Sequence, residues 1–287
     1  MKPKGSWRSG HEEVPGFRMF YRDWRPAGGE RYPPVVALHG SLVQSSMWIS
    51  VAEGVGSARM VCPDQRGYGL SGDPGRGEAA ADFARDAIAL ANALMLERFT
   101  IMGHSFAYAI ALQAARMEPG RVAGAVLVDP TVRDPSGHQQ NLAQSVERPA
   151  SFASLQEAVR YFRRSEEGAW PRAGLNRFMR ELMAADGGEK GTCRWPYTRE
   201  RLLRLRAFQA SAGSDYDIAN AGHVKCPVLI FRGGLSRRFT AEAERRLRRA
   251  LPDGAQSVLC RKSGHFPSVN EPKRFNDALR KFLAKTR

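Results

Sequence analysis

The chain has 287 residues, 43% of them hydrophobic and 25% charged, enough for one globular domain with a large core and an inserted subdomain. No apolar run is long enough to cross a bilayer, and the basic N-terminal residues MKPKGSWRSGHEEV have no apolar stretch behind them, so a soluble cytoplasmic protein is expected. The 44 Lys and Arg outweigh 29 Asp and Glu to give a formal charge of +15, but the basic residues are spread along the chain and interleaved with acids, which disfavours nucleic acid as a partner.

In chain order, Val14 to Trp24 alternates as one arm of an antiparallel hairpin, and 26–34 reads as loop. Val35-Val36-Ala37-Leu38 is a continuous apolar run of the buried-strand type and ends in His39-Gly40-Ser41. Ala58 to Cys62 is a further short strand. The Gly-rich segment Asp64 to Gly72 after it fits neither nucleotide fingerprint and reads as structural. Asp82 to Leu96 carries Phe83, Ala87, Leu90 and Leu94 at helical spacing.

The centre of the chain is Thr100 to Ala115. A buried strand, Phe99 to Met102, breaks at Gly103-His104-Ser105-Phe106-Ala107, and an alanine-rich helix follows. A serine at the apex of such a turn, held at positive φ, tolerates only very small residues two positions to either side, and Gly103 and Ala107 meet that demand. The helix behind it presents unpaired N–H groups that favour negative charge. The backbone N–H groups of Ser41 and Phe106 are the expected oxyanion donors.

Val122 to Val128 is another buried strand and ends at Asp129-Pro130. From 131 to 224 the pattern is helical and aromatic, with a capping box at Ser154-Leu155-Gln156-Glu157 and apolar stripes over Pro171 to Ala185 and Tyr197 to Ala210. Such faces must be buried, and the sheet edge beside Ser105 is available, so a cap over the site is expected. The alternation resumes with the strand Val228 to Phe231, the helix Ala241 to Leu251, the strand Gln256 to Leu259 and the helix Pro272 to Ala284. His265 lies in the Gly-containing loop before the last helix, where a base belongs if the order is nucleophile, acid, histidine. Cys62, Cys193, Cys226 and Cys260 show no metal-ligand spacing and read as small apolar residues in a reducing compartment.

Taken together, His39-Gly40, the Asp64 to Gly72 segment, Gly103-His104-Ser105-Phe106-Ala107, Gly264-His265-Phe266 and Glu271-Pro272 resemble the α/β-hydrolase fold, in the group that carries a helical cap. The resemblance covers essentially the whole chain. It implies an α/β architecture, a mostly parallel eight-stranded sheet with helices on both faces and an inserted all-helical cap. Residues 1–130 and 225–287 would form the core and 131–224 the cap. It also implies a serine hydrolase without metal or organic cofactor, in which Ser105 attacks a carbonyl, His265 carries the proton, a carboxylate orients His265, and Ser41 and Phe106 hold the oxyanion.

The carboxylate departs from the pattern of most relatives, where it stands in a Gly-x-x-Asp loop. Here Gly233-Gly234-Leu235-Ser236 places a serine there, followed by Arg237 and Arg238, whose charges oppose a cationic histidine. Asp129, at the end of the preceding strand, is the expected triad acid, with Asp134 or no acid at all as the alternatives. Ser105 excludes the aspartate-nucleophile branches of the fold. The expected chemistry is hydrolysis of a carboxylic ester, lactone or similar carbonyl compound, apolar or amphipathic. His39, Trp48, Phe106, Trp170 and Trp195 are expected at its pocket, and a homodimer is left open. A carbon–carbon bond hydrolase, a cofactor-free perhydrolase and a non-catalytic binding protein on the same scaffold stay open as alternatives.

Overall fold

The computed structural model describes residues 5–132, 149–165, 172–183, 192–211, 215–216, 218–219 and 221–286. Mostly apolar runs become the central strands β3 (Val35–Leu38), β4 (Met60–Pro63), β5 (Phe99–His104) and β6 (Val122–Val128), buried at every position, and β9 (Val228–Gly233), buried at all but Arg232. With β1 (Gly5–Val14), β2 (Phe17–Pro26) and β10 (Gln256–Cys260) they form one eight-stranded sheet in the order β1-β2-β4-β3-β5-β6-β9-β10. The pairings from β4 to β10 are parallel, and β1 and β2 add an antiparallel edge.

Side chains that alternate along each strand divide between two cores. Ile101, Ala125, Leu127 and Ile230 pack under the helices Ala80–Ala93, Ala107–Met117 and Ala241–Ala250. Met102, Val126, Val128, Leu229 and Phe231 pack on the other face, under Ile49–Val55 and Pro272–Leu283. A sheet covered on both faces has no polar side, which is why its strands read as unbroken apolar runs.

The hairpin differs from its expected position. Val14 to Trp24 is not one arm. It spans the end of β1, the turn at Pro15-Gly16 and most of β2, with Gly16 at φ +94°. The first arm is the polar stretch GSWRSGHEEV at the sheet edge, where half-exposed positions need no apolar residues. Two short helical pieces without sequence periodicity, Ser45–Trp48 and Pro267–Asn270, also went unexpected.

Between β6 and β9 the described residues hold the helices Leu155–Ser165, Arg172–Met183 and Arg199–Ala210, close to the apolar stripes. The serine half of the capping box forms, with the Glu157 N–H donating to Ser154 Oγ at 3.2 Å, while Glu157 Oε2 accepts from the Ala153 N–H, one residue before the cap, at 2.9 Å. The segment is not wholly helical, because β7 (Ser151–Phe152) pairs antiparallel with β8 (Cys193–Arg194). Two-residue strands carry too little pattern to be read from sequence.

Helix Arg199–Ala210 is pinned to the Gly-rich segment by Arg201, which is 1% exposed. Its guanidinium donates to the Arg66 carbonyl at 3.1 Å, pairs with Glu78 and lies over the Tyr68 and Phe83 rings, 5.4 Å from each centroid. A Cβ at Gly67 would strike this side chain, so that glycine admits the arginine.

Candidate active site

Parallel register brings four strand ends level. Leu38 of β3 pairs with Gly103 of β5, His104 of β5 with Val128 of β6, and Val128 with Phe231 of β9. The residues that follow each strand therefore converge at one sheet edge: Gly40-Ser41, Ser105, Asp129 and the loop through Ser236.

Ser105 has φ +59°, and its N–H donates to the Val128 carbonyl at 2.9 Å. A left-handed backbone is strained for a residue with a Cβ, by about 1–3 kcal/mol, and the turn holds it because its neighbours are small. A Cβ on Gly103 would collide with the Ala107 carbonyl, and one on Gly40 would lie 2.5 Å from His104 Nδ1 and 3.3 Å from Ser105 Cβ. Phe106 is the N-cap of helix Ala107–Met117, so its amide lies at the helix's positive end, next to the serine.

His265 bridges the other two groups. Its Nε2 lies 3.0 Å from Ser105 Oγ, and its Nδ1 lies 2.7 Å from Asp129 Oδ2. Ser105, His265 and Asp129 are 4%, 3% and 0% exposed. Asp129 takes φ +44°, a conformation that Asp tolerates better than most residues. Burial pushes its carboxyl up. The Ser236 hydroxyl, donating to Oδ2 at 2.6 Å, and the Gly233 N–H, donating to Oδ1 at 2.8 Å, pull it back down. Ser236 thus stands beside the Asp129 carboxylate and supplies a hydrogen bond to it.

Two more histidines hold the walls. His39 places Nδ1 2.8 Å from the Gly40 carbonyl and accepts the Gln65 N–H on Nε2 at 3.0 Å, which fixes the turn before Ser41. His104 places Nε2 2.8 Å from the carbonyl of His265. Each ring thus donates one proton and is neutral. Burial lowers both, His39 to about 4 and His104 to about 3. An unfolded histidine titrates near 6.5, so between that value and the native one the unfolded chain binds more protons, and stability falls as pH falls. Moving from pH 7 to pH 5 should remove about 2 kcal/mol per histidine, a loss to be read from urea midpoints. His104→Asn should flatten part of that slope; an unchanged slope would discard the role of His104 in it.

The cavity in front of the serine is lined by Gly40, Ser41, Leu42, Val43, His104, Ser105, Arg238, His265 and Phe266. At about 10 Å³ it has room for roughly one water molecule. The expected pocket residues fall elsewhere. Trp48 is fully buried in the core, 6.5 Å from the His104 ring, and His39 is buried behind the Gly40 turn. Trp195 packs against Phe152 and Tyr197 and donates Nε1–H to the Pro149 carbonyl. The Phe106 ring packs on Phe83 and Tyr216, leaving its amide as the part nearest Ser105. Large aromatics suit a pocket and a core equally well in sequence, and here the core holds them. Trp170 and Asp134 lie outside the described residues. Sequence reasoning missed Arg238 as a cavity wall and Arg206, whose Nη2 donates to Ser41 Oγ at 3.0 Å. Arg238 drew notice only as a charge opposed to the histidine. Arg206 sat unmarked on a helix face.

Among the described residues no three His, Cys, Asp or Glu side chains group as a metal site, and no helix is long and apolar enough to cross a membrane. The fold and this edge of the sheet define a hydrolase of one large class. The profile described as "Alpha/beta hydrolase family" matches residues 35–278, and the chain belongs to that family. It is 29% identical over 234 residues to the RutD protein of Variovorax paradoxus, whose name assigns it provisionally to carbamate hydrolysis; the match covers 79% of this chain and 82% of that one. A non-heme chloroperoxidase of Streptomyces lividans is 38% identical over 119 residues, 39% of this chain and 41% of that protein. In structure the chain is similar to E-2-(acetamidomethylene)succinate hydrolase, with TM-score 0.81 and 21% identity over 97% of this chain and 99% of the other, a likeness of fold.

Proposed function

We propose that the protein is a serine hydrolase that cleaves a carboxylic ester or lactone through an acyl-enzyme. What carries the reading is the unbroken relay Ser105 Oγ, His265 Nε2, His265 Nδ1, Asp129 Oδ2, with spacings of 3.0 and 2.7 Å. In this reading Ser105 attacks the carbonyl carbon as its proton passes to His265. Asp129 holds the Nδ1–H tautomer and stabilises the imidazolium. The tetrahedral oxyanion is held by the Ser41 and Phe106 amides. The imidazolium then protonates the leaving alcohol, and a water activated by His265 releases the acid. Residues 131–224 act as the cap that covers this edge. The RutD relative favours one second reading, in which the same steps expel an amine or carbamate leaving group.

The test is labelling with a fluorophosphonate, which traps only an activated serine. One equivalent should bind, on the peptide that carries Ser105, with time-dependent loss of esterase activity and no labelling in Ser105→Ala. Folded protein that stays unlabelled, or is labelled at another residue, would overturn the assignment.

A further inference from the structure

Ser41 lines the space in front of Ser105 and is 3% exposed, and its Oγ accepts a hydrogen bond from Arg206 Nη2 at 3.0 Å. A serine hydroxyl that accepts an N–H keeps its own proton to donate. Among the described residues no acceptor takes that proton. The space it borders holds about one water molecule, the size of a single oxygen atom rather than of an acyl chain.

Arg206 is not required to dock its helix. Arg201 already anchors Arg199–Ala210 through the Arg66 carbonyl and Glu78, and Arg204 adds ion pairs with Asp73 and Glu78. Arg206, half-buried, holds Gln209 Oε1 with Nη1 at 2.9 Å and the Ser41 hydroxyl with Nη2. A guanidinium bonded to a hydroxyl oxygen draws density from its O–H, which makes that O–H a stronger donor. The same loop is held a second time, because Gln44 Nε2 donates to the Leu182 carbonyl at 2.8 Å. Helices Arg172–Met183 and Arg199–Ala210 thus grip the loop after β3 at two points, which fixes it before any substrate arrives.

We infer that the Ser41 hydroxyl is a third donor to the oxyanion, beside the Ser41 and Phe106 amides, and that Arg206 is the positioning residue that aims and polarises it. The inference rests on the serine-hydrolase reading. As the bond from Ser105 Oγ to the carbonyl carbon forms, the π pair moves onto the carbonyl oxygen and the serine proton passes to His265. Ser41 keeps its proton throughout and stabilises the new charge by hydrogen bonding. Because Arg206 belongs to a helix inserted between β6 and β9, the donor is polarised only while that helix is docked.

Kinetics on para-nitrophenyl butanoate test it, with urea midpoints to show that each variant is folded. Ser41→Ala keeps both amides and should lower kcat by about 100-fold while KM moves less than about threefold. Arg206→Met should cost about tenfold in kcat, and Arg206→Lys, which restores an N–H and a charge, should recover most of it. In the Ser41→Ala background Arg206→Met should cost less than about twofold more, since the group it acts through is gone. Folded Ser41→Ala with kcat within about threefold of wild type overturns the donor. An Arg206→Met loss that is absent, or as large in Ser41→Ala as in wild type, overturns the positioning role.

Fluorophosphonate labelling separates the third donor from the hydrolase reading. Labelling at Ser105 with undiminished turnover in Ser41→Ala removes the third donor alone. Folded wild type that is never labelled at Ser105 removes the hydrolase reading, and the donor with it.

Discussion

His265→Ala is expected to lower kcat on an activated ester by about 10⁶-fold while KM changes little. The imidazole contacts both Ser105 Oγ, at 3.0 Å, and Asp129, at 2.7 Å. With it removed, the hydroxyl has no acceptor for its proton and the leaving group has no donor. What stays is the rate gained from binding and from the backbone amides, about 10³–10⁴ over water in comparable sites. The substitution also deletes ring contacts with His104 at 4.6 Å and Phe266 at 5.4 Å, so urea midpoints should accompany the kinetics. Activity within tenfold of wild type, in folded protein, would remove His265 from its role.

Asp129→Asn should cost about 10³–10⁴ in kcat with the fold preserved. An amide can keep φ near +44°, since Asn populates that region readily, and it still accepts from the Gly233 N–H. On the histidine side, however, it can present an N–H to Nδ1, which selects the wrong tautomer and leaves Nε2 unable to take the serine proton. The loss should fall in kcat. Ser236→Ala removes one donor to the same carboxylate and should cost only about tenfold. If Ser236→Ala proved as damaging as Asp129→Asn, the carboxylate would not be the group that orients the ring.

Most of the sheet was legible because its strands are buried on both faces. Val122 to Val128 was read to the residue, and Val228 to Phe231 fell two residues short of its observed end. The serine turn was legible for a steric reason: a backbone at φ +59° between Gly103 and Ala107 leaves a local mark in sequence. The geometric link from Asp129 to His265 was legible only through family resemblance and strand order, because 136 residues separate the partners. The polar edge strand β1 was lost since exposure relaxes its pattern. An aromatic pocket was not legible, because residues such as Trp48 and Trp195 bury their bulk equally well in a core, and sequence does not say which cavity a ring faces. Arg206 left no signal at all, as its contact with Ser41 spans 165 positions.

The contact between Ser236 and Asp129 sets a limit on how this chain can be altered. The two side chains touch at 2.6 Å, and both are buried. A second carboxylate at 236 would meet the first as a like charge at contact distance, and the pair would have to share a proton. Ser236→Asp should therefore raise the proton affinity of the pair, because two buried carboxylates at contact distance cannot both ionise.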